Sequence, residues 1–117
     1  MTANRRTMRV ASLIRAELSR LFIEELSDPR VREVTVTEVE LSGDLKTARV
    51  YFDVPASLAD AKDLKEVTRG LEHAAPFIRK KVAENVELRY VPDFRFVRDT
   101  QSQEISQLYK VMDDLRK

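Results

Sequence analysis

Apolar residues recur near the start of the chain at helical steps. Met8, Ala11, Ile14, Leu18, Leu21, Phe22 and Leu26 fall every three or four positions. That spacing places them on one face of a helix. Asn4 or Thr7 is positioned to cap its start. "SDPR" ends it, because Pro29 disfavours helical backbone at Asp28. The period then shortens to two. In "VREVTVTEVEL", Val34 and Val36 share one parity, whereas Val39 and Leu41 share the other. The slip predicts a strand with a bulge near Thr37 and Glu38. "SGD" follows as a turn, with Gly43 free to take positive φ. In "TARVYFDV", Ala48, Val50, Phe52 and Val54 alternate with polar neighbours, which completes a β-hairpin with one buried face.

A second helical stripe follows Pro55. Asp60 or Asp63 can cap it, and it runs from about Leu64 through Val67, Leu71, Ala74, Ala75, Ile78 and Val82. Pro76 interrupts it. An interior proline lacks the N–H that would bond the carbonyl of Glu72 and costs about 3 kcal/mol. That cost is largely avoided if Pro76 is the first residue of a new helix and Ala75 leaves helical geometry. The expectation is two helices meeting at a kink over Ala74, Ala75 and Pro76. Gly70, one turn earlier, is expected to allow close packing on the sheet. Either the kink only wraps the helix around a small sheet, or the new N-terminus, with Arg79 and Lys80 beside it, receives a phosphate.

"VPDFRFVRD" predicts a third strand entered at Pro92, with Phe94 and Phe96 toward the core. Ile105, Leu108, Met112 and Leu115 predict a short C-terminal helix, with Thr100 and Gln103 at capping-box spacing. The fold class is therefore α+β, in the order helix, strand, strand, helix, kink, helix, strand, helix. A three-stranded sheet is covered by helices on one face. One domain fills 1–117, with 1–6 and 116–117 expected to be flexible.

Composition narrows the function classes. The 117 residues are 43% hydrophobic and 35% charged, enough for a core without a disulfide or metal staple. With no cysteine and one histidine, thiolate chemistry and a His-based metal pair are excluded. No run suits a signal peptide or a membrane span. Two glycines leave no Walker or dinucleotide fingerprint. Glu24–Glu25 and Asp113–Asp114 are neighbours in sequence and diverge on a helix. No enzyme, cofactor, metal or small-molecule substrate is expected, and His73 reads as a surface residue.

The net charge is only +1, but its distribution is uneven. Arg5, Arg6, Arg9, Arg15 and Arg20 make the first helix basic. From Glu24 to Asp44 the chain is acidic. A second basic group is Arg79, Lys80 and Lys81 with Arg89. These nine residues are the candidate phosphate contacts, and the RNA contacts if the partner is RNA, because guanidinium and ammonium groups suit phosphate. They would position the chain rather than read sequence. Arg95 and Arg98 are weaker candidates. Tyr51 and Tyr90 can stack on a base or pack under a helix, and packing is the commoner outcome.

The element order resembles a type II KH domain, although the GXXG loop that clamps nucleotides is absent. More closely, the chain resembles the ribosome-binding factor A family. The likeness is carried by "RVASLIRAELSRLF", "DPRV", "VTVTEVELSGDLKTARVYF" and "AAPFIRKKVAENVELRYVPDFRFVRD". The family's kink is Ala-X-Gly, and Pro76 stands here at the glycine position. The resemblance implies a cytoplasmic, monomeric RNA-binding assembly factor. Its partners would be free 30S subunits and 16S rRNA, near the 5′ terminal helix. It would assist late 30S maturation, rRNA processing and growth in the cold. The residues alone leave two alternatives: a protein-interaction module using the acidic stretch, and a helix-turn-helix reader of duplex DNA.

Overall fold

In the computed structural model, which describes residues 5–99, the first stripe forms helix α1, Arg5–Glu24. Its buried face is Thr7, Ala11, Ile14, Leu18, Leu21 and Phe22. Thr7 takes the place expected for Met8, which is 61% exposed. Thr7 therefore lies inside the helix rather than capping it, as do Arg5 and Arg6; the other candidate cap, Asn4, lies outside the described residues. A 3-10 turn, Pro29–Val31, follows, capped by Asp28, whose carboxylate accepts the Arg30 backbone N–H at 2.9 Å.

The hairpin consists of β1, Thr35–Leu41, and β2, Thr47–Asp53, paired antiparallel. The register slips between Val36 and Glu38, so Thr37 is the extra residue of the bulge. One shifted residue lets Val34 and Val36, then Val39 and Leu41, all turn into the core. Ala48, Val50 and Phe52 bury the same face of β2. In the connecting turn the positive φ, 62°, belongs to Leu45 and not to Gly43. Ser42 and Asp44 explain the difference. The Ser42 hydroxyl hydrogen-bonds Asp44 Oδ1 at 2.7 Å, and that oxygen also accepts the Lys46 N–H at 3.0 Å. The side-chain bonds set the backbone locally, and Leu45 packs against the core from its left-handed position.

After a second 3-10 turn, Ala56–Leu58, the chain enters α2, Ala61–Asn85. Asp60 is its cap, accepting the Asp63 N–H at 2.7 Å. The expected division into two helices is not found: Ala74, Ala75 and Pro76 all lie within one helix of 25 residues. The physical reason is burial on both sides of the proline. Val67, Leu71 and Ala74 before it, and Ile78 and Val82 after it, face one core, and leaving that face would lose more than the missing hydrogen bond. Glu72, whose carbonyl loses its donor, is exposed to water. Gly70 does allow a close approach, but to the 3-10 turn rather than the sheet. A Cβ there would sit 2.9 Å from Arg30 Cβ and 2.9 Å from Val31 Cγ1.

β3, Asp93–Arg98, runs parallel to β2 and gives the sheet order β1-β2-β3. α1 packs on β1, and α2 packs on α1 and β3. This α+β arrangement is KH-like. Phe94 and Phe96 turn toward the core but are only partly buried, because β3 is an edge strand beside a cavity of about 500 Å³ under α2. Arg98 lines the same cavity, and its Nε and Nη2 are buried without a hydrogen-bond partner among the described residues. Tyr51 lies on the sheet face away from the helices. Its hydroxyl donates to Glu40 Oε1 at 2.7 Å, and that carboxylate raises the phenol pKa. The expected C-terminal helix, with Thr100, Ile105, Leu108, Met112 and Leu115, lies outside the described residues.

Candidate nucleic-acid interface

The fold separates the basic residues into two groups. Arg20, Arg79 and Lys81 are held by acids. Arg20 Nη2 sits 2.5 Å from Glu17 and 2.7 Å from Glu25, and Nη1 sits 3.2 Å from Glu24. Glu17 also accepts from Asn85 Nδ2 at 2.9 Å, and Lys81 lies 3.4 Å from Glu25. This network ties α1 to α2. Arg20 is the main cause of the lowered pKa of Glu17 and of Glu25. Arg79 bonds Asp93 at 2.8 Å and so joins α2 to the start of β3. These three cations are engaged in the fold itself. Arg15 lines a depression of about 290 Å³ with Glu38 and Glu40 on its rim.

Arg5, Arg6, Arg9, Lys80 and Arg89 are exposed and have no acidic partner among the described residues. Two of them, far apart in sequence, meet in space. Arg6 and Arg89 line one cavity of about 340 Å³, formed where the start of α1, the hairpin turn and the α2–β3 loop converge. Val10, Leu45 and Leu88 give it apolar lining, and Asp44 and Glu87 line it too. Tyr90 stands beside it, 73% exposed, with the Arg89 guanidinium 5.5 Å from the ring centroid.

The described part of α1 opens with Arg5 and Arg6 and has no acid in that turn, which concentrates positive charge beside the cavity. Sequence reading named these residues, but not the cavity, because pairing Arg6 with Arg89 requires α1 to cross the hairpin end.

Other chemistry has less support. No cluster of His, Asp or Glu among the described residues can hold a metal ion. No helix among them is long and apolar enough to cross a membrane. His73 is exposed on α2.

The family model of ribosome-binding factor A matches residues 6–112. This chain belongs to that family. Ribosome-binding factor A of Leuconostoc mesenteroides is 40% identical over 103 residues, covering 88% of this chain and 86% of the relative. The crystal structure of ribosome-binding factor A from Thermus thermophilus superimposes with a TM-score of 0.67 at 24% identity, over 79% of this chain and 94% of that one. A Thermus thermophilus ribosome-binding factor A homology model, fitted into a cryo-EM map of its 30S complex, matches with a TM-score of 0.51 at 27% identity. It covers 76% of this chain and 94% of the other. The ribosome-binding factor A fold thus carries the cavity between α1 and the α2–β3 loop in this chain.

Proposed function

We propose that this chain is a non-catalytic assembly factor that binds free 30S subunits through 16S rRNA. The observation that carries the reading is the meeting of Arg6 and Arg89 at one cavity, neither of them in an ion pair among the described residues, while Arg20, Arg79 and Lys81 are paired with acids of the fold. Family membership and the relative fitted into a 30S complex support the same partner. Arg5, Arg6, Arg9 and Arg89 hold phosphates, with Lys80 as an outlying contact. Binding one rRNA arrangement better than its competitors shifts the population toward it. In this reading the chain acts as a cytoplasmic monomer late in 30S maturation. It occupies the region of the 5′ terminal helix and aids rRNA processing and growth in the cold.

A second reading rests on α1. Met8, Leu13 and Ile23 are 61%, 50% and 84% exposed on its outer side, which suits a protein partner. Co-sedimentation with free 30S subunits across a salt series separates the two. The double variant Arg6→Ala/Arg89→Ala should bind more weakly and flatten the salt dependence. The expected change is about 0.7 to 0.9 log units per decade of salt for each lost phosphate contact. Arg79→Ala/Lys81→Ala should retain the wild-type slope. An unchanged slope in the first pair would remove the RNA reading and favour the protein partner.

A further inference from the structure

We propose that the cavity beside Tyr90 takes up one unstacked nucleobase of single-stranded RNA, with the Tyr90 ring as its stacking surface and Arg6 and Arg89 on the flanking phosphates. The inference rests on the RNA-binding reading above and specifies which RNA conformation that surface accepts.

Tyr90 is the most exposed aromatic side chain of the described residues that carry large apolar groups, at 73%. The fold makes no use of its ring for core packing. Tyr51, by contrast, is half-buried and bonded to Glu40. Arg89 over the Tyr90 ring, at 5.5 Å, is a cation–π contact that steadies a side chain otherwise free to rotate. Ring, guanidinium and cavity thus stand together before any ligand arrives. The cavity, about 340 Å³, is at the small end of ligand sites, which run from roughly 300 to 1,000 Å³. It is too small for a helical segment of protein and sufficient for a single planar base.

Charge divides the cavity by role. Arg6 and Arg89 attract phosphate, whereas Glu87 and Asp44 repel it. Asp44 Oδ1 is already satisfied by Ser42 and the Lys46 N–H. The carboxylate side is therefore left to the base edge, whose amino groups donate hydrogen bonds, and the backbone runs along the arginine side. A paired base cannot enter, since its faces are covered by its neighbours. The target is an unpaired loop, bulge or strand end, the usual setting for recognition by aromatic stacking.

Full-length wild type, Tyr90→Ala, Tyr90→Phe and Arg6→Ala/Arg89→Ala are titrated onto free 30S subunits across a salt series, with thermal melts to check folding. Tyr90→Ala should bind about 5- to 100-fold more weakly with the wild-type salt slope, since stacking releases no counterions. Tyr90→Phe should stay within about twofold of wild type, because the ring is kept. Wild-type affinity in Tyr90→Ala, or equal losses in Tyr90→Ala and Tyr90→Phe, would overturn the base site. A flattened slope in the arginine pair would in that case leave the RNA-binding reading standing. No binding by the wild type would sink both.

Discussion

Gly70→Ala separates two opposing local effects in α2. Alanine in a helix interior is favoured over glycine by about 1 kcal/mol, so propensity alone predicts a more stable protein. The structure predicts the reverse. The added Cβ would lie 2.9 Å from both Arg30 Cβ and Val31 Cγ1, closer than such atoms approach. Neither neighbour is a loose side-chain end. Arg30 Cβ is fixed by its backbone, and Val31 is 1% exposed in the core. The 3-10 turn Pro29–Val31 would have to move off α2, and overpacking of this kind costs about 1 to 3 kcal/mol. The net expectation is a loss of up to about 2 kcal/mol after the helix gain. Urea denaturation followed by circular dichroism reads it as a lower midpoint with an unchanged slope. Gly43→Ala is the internal control. No atom lies within 4 Å of a Cβ there and φ is not positive, so it should be neutral or slightly stabilising. A Gly70→Ala protein as stable as Gly43→Ala would refute the claim that the turn is closely seated on α2.

Two further outcomes follow from single residues. Arg30, through its side chain and its backbone N–H, holds the Asp28 carboxyl down at about 2. A depressed acid stabilises the fold above its ordinary value of 3.8, and that contribution is lost as pH falls toward 2. Asp28→Asn should therefore flatten the acid limb of a denaturation-versus-pH curve; an identical limb would show that the pair does not matter to stability. Arg98→Met replaces a guanidinium whose Nε and Nη2 are buried without partners among the described residues and should raise stability by about 1 to 3 kcal/mol. Lower stability in a thermal melt would mean that those nitrogens are satisfied in solution.

The parts of the fold that depend on period were legible in the sequence. The parity change between Val36 and Val39 placed the bulge near Thr37 and Glu38, because an unbroken period of two would turn one of the two apolar pairs away from the core. Pro76 shows where local rules stop. Its cost is local, but the burial of Leu71, Ala74, Ile78 and Val82 on one continuous face is a tertiary gain that no propensity scale contains. The positive φ expected at Gly43 falls on Leu45 for a similar reason: Ser42 and Asp44 fix the turn through side-chain bonds that composition does not display. At the site, residue types could be read and their grouping could not. Arg20, Arg79 and Lys81 looked equivalent to Arg6 and Arg89 until the positions of Glu17, Glu25 and Asp93 were known.

The parallel pairing of β2 with β3 also dictates an order of events during synthesis. β1 and β2 are neighbours in sequence and can close as a hairpin at once. The partners Thr47 and Asp93 are separated by all of α2. On a chain made at about 5 to 20 residues per second, β3 emerges roughly two to eight seconds after β2. For that interval β2 has one open edge, the kind of edge that recruits strands from other chains. Early docking of α2 against α1 would limit that exposure by covering one face of the unfinished sheet, leaving β3 as the last strand to close and the first to open.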